Sequence, residues 1–339
     1  MDIHDVVRVL YNVSHQVALG PNIAIYFFLT GISAASFLIS TMAYVFGMGR
    51  FKAAGRIGAW LAPIVLVIAP IFLVIDLEQP LRFVHLFWMW NWRSPISWGT
   101  ALLTLYPINC FIYLYYIYRA DPPALPAVAA HPYARPPMAG GAVAAANPRD
   151  VARLKFFGTL GVPLAIAVHG YTGFIVDMGV GRAMWNVSLM PIYFLLSAMV
   201  SGAALLILAC ILKERVLGGS AFLNRYLPKV EEGVIRDLGK MLLGFVSLDL
   251  FLVLSEVLVL LSSRVDDQAA AALLMSGAFA PLFLGVEVAL GLIVPAIILL
   301  VPRAGRSMAG LTVASVLVLI GVYAMRYVTV VGGQMIPLN

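Results

Sequence analysis

A histidine, a few tyrosines and a handful of carboxylates stand in stretches that otherwise contain almost nothing able to exchange a proton. His169 and Tyr171 belong to His169-Gly-Tyr-Thr-Gly173, and Asp177 follows shortly after. Asn22 and Tyr26 open one long apolar run, Asp76 closes another, Ser94 and Ser97 open a third, and Arg326 stands near the end of the last. Tyr, His and Asp with adaptable protonation suit acid–base exchange with a bound substrate. A second set comprises Asp249 and Glu256, seven residues apart and so on one helix face, with Glu287 inside the following run. Ser247 and Ser255 could extend a hydrogen-bonded chain among them. Ionisable groups in hydrocarbon are costly and mark ion or proton paths. Blander readings stand beside these. His169 fits a packing histidine, and Tyr26 and Tyr171 fit the interfacial aromatic belt of Trp88, Trp90, Trp92 and Trp185. Asp76 and Asp177 fit ordinary loop-boundary acids, and Asp249 and Glu256 fit an ion pair with Arg326.

The elements that must position these residues are membrane spans. A bilayer core of about 30 Å needs roughly 20 apolar residues in helical form. Such runs appear at 21–46, 57–76, 96–118, 154–176, 188–212, 238–262, 276–301 and 308–330. The expected fold is therefore an all-α integral membrane protein of about eight transmembrane helices. The seventh start is loosely defined from Ala269 onward, and Pro63 and Pro70 predict kinks in the second span. Sixteen Lys and Arg fall in loops on the side away from the N-terminus, against five on the N-terminal side. Excess basic residues mark the cytoplasm, so both termini are expected outside. On that topology the polar groups of the first four helices gather just inside the outer surface, and the acids of helices six and seven sit deeper.

The expected organisation is an interfacial segment at 1–20, helices one to three at 21–118 and a flexible cytoplasmic linker at 119–153. Helix four follows at 154–176, and helices five to eight occupy 188–330. Ile25-Tyr-Phe-Phe-Leu-Thr-Gly-Ile-Ser-Ala-Ala-Ser36 is similar to Ile192-Tyr-Phe-Leu-Leu-Ser-Ala-Met-Val-Ser-Gly-Ala203. Both open odd-numbered helices; the likeness fits chance similarity between apolar helices or a division into two parallel four-helix bundles.

Composition excludes several classes. Of 339 residues, 62% are hydrophobic and 11% charged, and mean hydropathy is +0.96, whereas soluble domains carry about 25% charged residues. The net charge of +6 lies between apolar runs, not on an aromatic-interleaved face, so nucleic acid is not the expected partner. Cys110 and Cys210 are too few for an iron–sulfur cluster. With His169 the one clearly intramembrane histidine, a two-haem relay is excluded, and no metal site is expected. The first residues do not read as a cleavable signal peptide.

Asp76-Leu-Glu-Gln-Pro-Leu-Arg-Phe83, Ser94-Pro-Ile-Ser-Trp-Gly99, His169-Gly-Tyr-Thr-Gly-Phe174, Trp185-Asn186 and Pro191-Ile-Tyr-Phe-Leu-Leu-Ser-Ala198, with Tyr26-Phe-Phe-Leu-Thr-Gly31, resemble the polysulfide reductase membrane subunit (NrfD) family. Helices one to five carry the resemblance, and helices six to eight follow mainly in number and polarity. It implies a quinone-reactive subunit, using menaquinone or ubiquinone, without haem or iron–sulfur cluster of its own. It would exchange electrons with an extrinsic ferredoxin-like iron–sulfur subunit that docks a molybdopterin catalytic subunit, in a bacterial or archaeal cytoplasmic membrane. Carried over, His169, Tyr171 and Asp76 would handle the quinone's protons. Asn22, Tyr26 and Ser97 would line its site with His169 and Tyr171. Asp249, Glu256, Glu287 and Arg326 would form a proton path toward the cytoplasm. A secondary ion transporter using the intramembrane acids and a passive redox-complex anchor are the competing readings.

Overall fold

Pro21 and Pro95 open the first and third spans, where a missing N–H costs nothing and a fixed φ favours the first turn. Asn147 caps the fourth by accepting the Arg149 N–H, and Ser307 caps the eighth by accepting the Gly310 N–H. The computed structural model describes residues 19–77, 79–121, 147–179, 182, 184–185, 187, 189–262 and 265–335. Most of the expected surface segment at 1–20 and most of the 119–153 linker lie outside the described residues, as does Asn186.

Among the described residues eight helices are long and apolar enough to cross a membrane, matching the expected spans one for one. They are α1 Pro21–Tyr44, α2 Gly49–Ile75, α3 Pro95–Ala120, α4 Pro148–Asp177, α5 Met190–Arg215, α6 Glu232–Ser262, α7 Pro281–Leu300 and α8 Met308–Gly332. Several extend beyond the apolar runs because helical hydrogen bonding continues through charged turns that hydropathy does not register. The helix of α2 is unbroken across Pro63 and Pro70. The loose start of the seventh span resolves into a separate helix, Val265–Met275, before Pro281 opens α7. Residues Pro281–Ile293 of α7 are π-helical, wider than an α-turn, a form frequent at functional sites. The odd-numbered helices begin at one face, called here the entry face, and run to the far face.

Helices α1 and α5 lie at the centre. Around α1 pack α2 and α4, with α3 against α4; around α5 pack α6 and α8, with α7 against α8. The resulting two four-helix groups meet along α1 and α5. The aligned segments touch through equivalent positions. Phe27 meets Phe194 edge-on at 5.5 Å. A Cβ at Gly31 would stand 3.5 Å from Ala198, and one at Gly202 would stand 2.8 Å from the Ala35 Cβ. Contact of each residue with its own counterpart is the property of a two-fold axis. The internal similarity thus has a geometric counterpart: a pseudo-two-fold axis between α1 and α5, packed through small residues four apart.

Candidate functional site

Glycine and proline shape the first polar cluster. Gly20, just before α1, donates its N–H to Asp76 Oδ2 at 3.4 Å, and a Cβ there would stand 2.6 Å from Asp76 Oδ1. Asp76, at the end of α2, therefore sets a carboxylate at the start of α1, where helix polarity favours a negative charge. The same corner is pinned from the C-terminal end. Gln334 accepts the Leu19 N–H at 2.9 Å and donates to the Leu19 carbonyl at 2.9 Å. Gln334 is fully buried, and sequence reasoning missed it, since a glutamine after the last span carries no signal by spacing.

Tyr171 lies two residues beyond His169 and points elsewhere. Its hydroxyl rests on Gly99, where a Cβ would stand 2.1 Å away. That contact is the physical reason for glycine in Ser94-Pro-Ile-Ser-Trp-Gly99. Tyr171, Ala167, Gly170, Phe174 and Met178 of α4 form one wall of a groove of about 530 Å³. Trp92, Arg93, Pro95 and Trp98 form the other wall, and Pro191 closes it. Trp90, Trp92 and Trp98 pack edge to face at 5.3–5.8 Å. Ser97, buried, accepts the Asn91 N–H at 3.2 Å and so fixes this tryptophan loop. The volume falls in the range of small-molecule sites, and aromatic walls with a few polar groups suit a flat ring with an apolar tail.

His169 stands behind the groove, not in it. Buried between α1 and α4, its Nε2 faces the Thr30 carbonyl at 2.7 Å, and its Nδ1 faces the Ala165 carbonyl. Ser33 Oγ lies 3.4 Å from Nε2. A neutral imidazole has one N–H and can donate to one of these carbonyls at a time. Tyr26 is buried nearby on α1, within electrostatic reach of Tyr171 and beside Thr30. Asn22 is half-buried in the first turn of α1. The predicted residues thus gather at one face, but of them Tyr171 alone lines the groove; His169 and Tyr26 are buried behind Tyr171, and Asp76 stands apart at the start of α1.

The second set differs more from expectation. Glu256, Glu287 and Arg326 each stand six residues from the entry-face end of their span, at Ser262, Pro281 and Gly332. At the α-helical 1.5 Å per residue that is a depth of about 9 Å for Glu256 and less for the two reached through wider π-turns, close to the level of His169, eight residues from Asp177. Asp249 alone lies deeper, thirteen residues from Ser262. Glu287 Oε1 accepts the Tyr193 hydroxyl at 2.8 Å. Arg326 donates to the Phe194 carbonyl at 2.9 Å and to Ser197 Oγ at 2.7 Å, with its guanidinium 3.8 Å above the Phe194 ring. Among the described residues no carboxylate approaches it within 4.0 Å, so the ion pair weighed from the sequence does not form. Its Nε and Nη1, and Asp249 Oδ1, have no partner. Ser247 and Ser255 bond the Leu243 and Phe251 carbonyls of their own helix and do not extend the acid set. Half-buried Glu256 borders a cavity of about 20 Å³ with Tyr193, Met190 and Leu252, room for about one water.

The pseudo-symmetry relates the two clusters. Tyr26 corresponds to Tyr193 and Thr30 to Ser197. His169 of α4 reaches Thr30, and Arg326 of α8 reaches Ser197. Among the described residues no group of three His, Cys, Asp or Glu could hold a metal ion.

Fold and site together define a multi-span helical membrane protein with a polar-backed groove at one face. The protein belongs to the family described as polysulphide reductase, NrfD, whose profile matches residues 10–338. It is 27% identical over 338 residues to the C subunit of the selenate reductase of Mesobacillus selenatarsenatis, a match covering 93% of this protein and 74% of that one. It is 26% identical over 333 residues to the Hdr-like menaquinol oxidoreductase integral membrane subunit of Archaeoglobus fulgidus (97% and 74% covered). The C component of the polysulfide reductase of Wolinella succinogenes is 26% identical over 320 residues (92% and 93%). Proteins of this kind are membrane subunits of oxidoreductase complexes.

Proposed function

We propose that this protein exchanges electrons and protons between the membrane quinone pool and an extrinsic iron–sulfur subunit docked on its entry face. A molybdopterin subunit would then handle the terminal substrate. The observation that carries the reading is the aromatic groove of about 530 Å³ with Tyr171 in its wall, on the face that the positive-inside rule makes the outer one. A menaquinone or ubiquinone ring between Trp98 and Tyr171 would place a carbonyl near the Tyr171 hydroxyl, its isoprenoid tail leaving toward lipid. Oxidation of one quinol sends two electrons to the partner and frees two protons; the reverse reaction takes up both.

Each residue has a part in that exchange. Tyr171 donates to or accepts from the quinone oxygen, and Tyr26 and His169 stand behind it as the next proton-exchanging groups. Asp76 links the site with water at the entry face; Asn22 and Ser97 shape its rim. Asp249, Glu256, Glu287 and Arg326 form a second proton-exchanging set, opening through Glu256 toward the entry face. A midplane transporter site would need acids at that level, and Asp249 alone lies there.

The test is quinol-dependent electron delivery by the intact complex in liposomes. Tyr171→Phe is expected to lower turnover about tenfold or more with the complex still assembled. Normal turnover and unchanged quinone affinity in that variant would sink the reading.

A further inference from the structure

The groove beside Tyr171 holds a single charge. Of the residues lining it, Arg93 alone is charged and Tyr171 alone bears a hydroxyl. They stand on opposite walls, Tyr171 on α4 and Arg93 in the loop that leads into α3. The Trp98 indole N–H is already committed to the Trp92 carbonyl at 3.0 Å.

The loop sets Arg93 in place through its backbone. Asn91 Oδ1 accepts the Arg93 N–H at 3.0 Å, and the Asn91 carbonyl accepts the Ser94 N–H at 3.0 Å. The Asn91 N–H in turn donates to buried Ser97 Oγ at 3.2 Å, which ties this turn to the start of α3. Arg93 itself is exposed where it borders the groove. Nothing close by offsets its charge. Among the described residues no carboxylate lies within 4.0 Å of it. It stands just ahead of Pro95, at the end of α3 where helix polarity disfavours a cation. The first turn of α3 holds no acid, and Ser94 makes no side-chain cap. Arg93 and the start of α3 therefore both favour a negative charge in the groove.

We propose that Arg93 is a catalytic residue of the groove, binding the quinol oxygen para to the one at Tyr171 and holding it as an oxyanion. The proposal rests on the quinone reading above and adds the group that bears the developing charge. The two oxygens of a para-quinol lie at opposite ends of its ring, so one molecule reaches from the α4 wall to the α3 loop. The quinol first loses the proton on the Arg93 side to water, which leaves a quinolate anion. Its two electrons then pass to the iron–sulfur partner, and the second proton leaves by exchange with the Tyr171 hydroxyl. One quinol thus gives one quinone, two protons and two electrons, and the reverse reaction passes through the same anion. A fixed positive charge at the atom where negative charge develops lowers the barrier to such a step.

The test is quinol-dependent reduction of the iron–sulfur partner by the intact complex in liposomes, followed across about pH 6 to 9 with a soluble quinol. Without the cation the anion forms at higher pH. Arg93→Gln is expected to move the rising limb of turnover upward by about one pH unit, about a tenfold loss at neutral pH, with the iron–sulfur subunit still copurifying. Arg93→Lys keeps the charge and should restore most of the rate and the wild-type profile. A wild-type rate in Arg93→Gln, or a slower one with an unshifted pH profile, would overturn the proposal. So would loss of the iron–sulfur subunit from the purified Arg93→Gln complex, which would make Arg93 a docking residue. A defect present in vesicles with anionic phospholipid and absent in phosphatidylcholine alone would assign Arg93 to a lipid phosphate instead. Slow Tyr171→Phe beside normal Arg93→Gln overturns this proposal alone, whereas normal turnover in Tyr171→Phe removes the reading on which it rests.

Discussion

At the scale of single residues, the arrangement turns on Gly99 and Tyr171. A methyl group at position 99 would stand 2.1 Å from the Tyr171 hydroxyl and 2.2 Å from Tyr171 Cζ. Tyr171 is half-buried at a groove wall, so the ring can swing aside at little cost in stability. Gly99→Ala is therefore expected to fold and assemble, yet to lose quinone turnover to about the extent of Tyr171→Phe. The double variant should be no worse than either single one, because both changes remove the same placed hydroxyl. Additive losses in a turnover assay would show that Gly99 acts by another route. The family motifs already singled out Tyr171 and Gly99. What no spacing could show is that one serves to seat the other, since the contact joins α4 to α3.

Among elements, the α1–α5 seam sets the close approach of the two halves. A Cβ at Gly202 would stand 2.5 Å from the Ile32 carbonyl oxygen, backbone that cannot give without moving α1. Gly202→Ala is expected to cost about 1–3 kcal/mol and to lower the melting temperature of the detergent-solubilised protein. Gly244, on α6, has nothing within 4 Å of an added Cβ. Gly244→Ala should leave the melt unchanged or raise it slightly, because alanine is the better helix former. Equal losses in the two variants would remove the close-packing account. The internal similarity of the two segments was readable, as was their small-residue character. That equivalent positions touch each other is a matter of how two helices cross.

For the molecule as a whole, the asymmetry of basic residues orients the bundle. Sixteen Lys and Arg in the stretches that the sequence assigns to the side away from the N-terminus, against five on the N-terminal side, predict a cytoplasmic far face. Both native cysteines are buried, which leaves a quiet background for labelling. A cysteine at Met89, exposed in the loop between α2 and α3, should react with an impermeant maleimide in right-side-out vesicles. One at Gly219, between α5 and α6, should react after permeabilisation alone. The opposite pattern would place the aromatic groove on the cytoplasmic side and reverse the proposed docking face.

The sequence by itself determined the eight spans and the polar residue types, because hydrocarbon demands long apolar helices and tolerates few charges. It also carried the family resemblance, in short motifs around Asp76, Ser94, His169 and Pro191. Depth and partnership were decided by the tertiary structure. Glu256 and Glu287 read as deep acids, yet their helices place them near one face. His169 reads as a groove residue, yet α1 offers it a carbonyl and holds it behind the wall. Arg326 reads as a mate for Asp249, yet it turns to the Phe194 carbonyl and Ser197. In a membrane, apolarity fixes where a helix lies along the normal, and its rotation is set by packing against its neighbours. Which polar groups meet therefore became visible once α1 and α5 were seen to cross through their small residues.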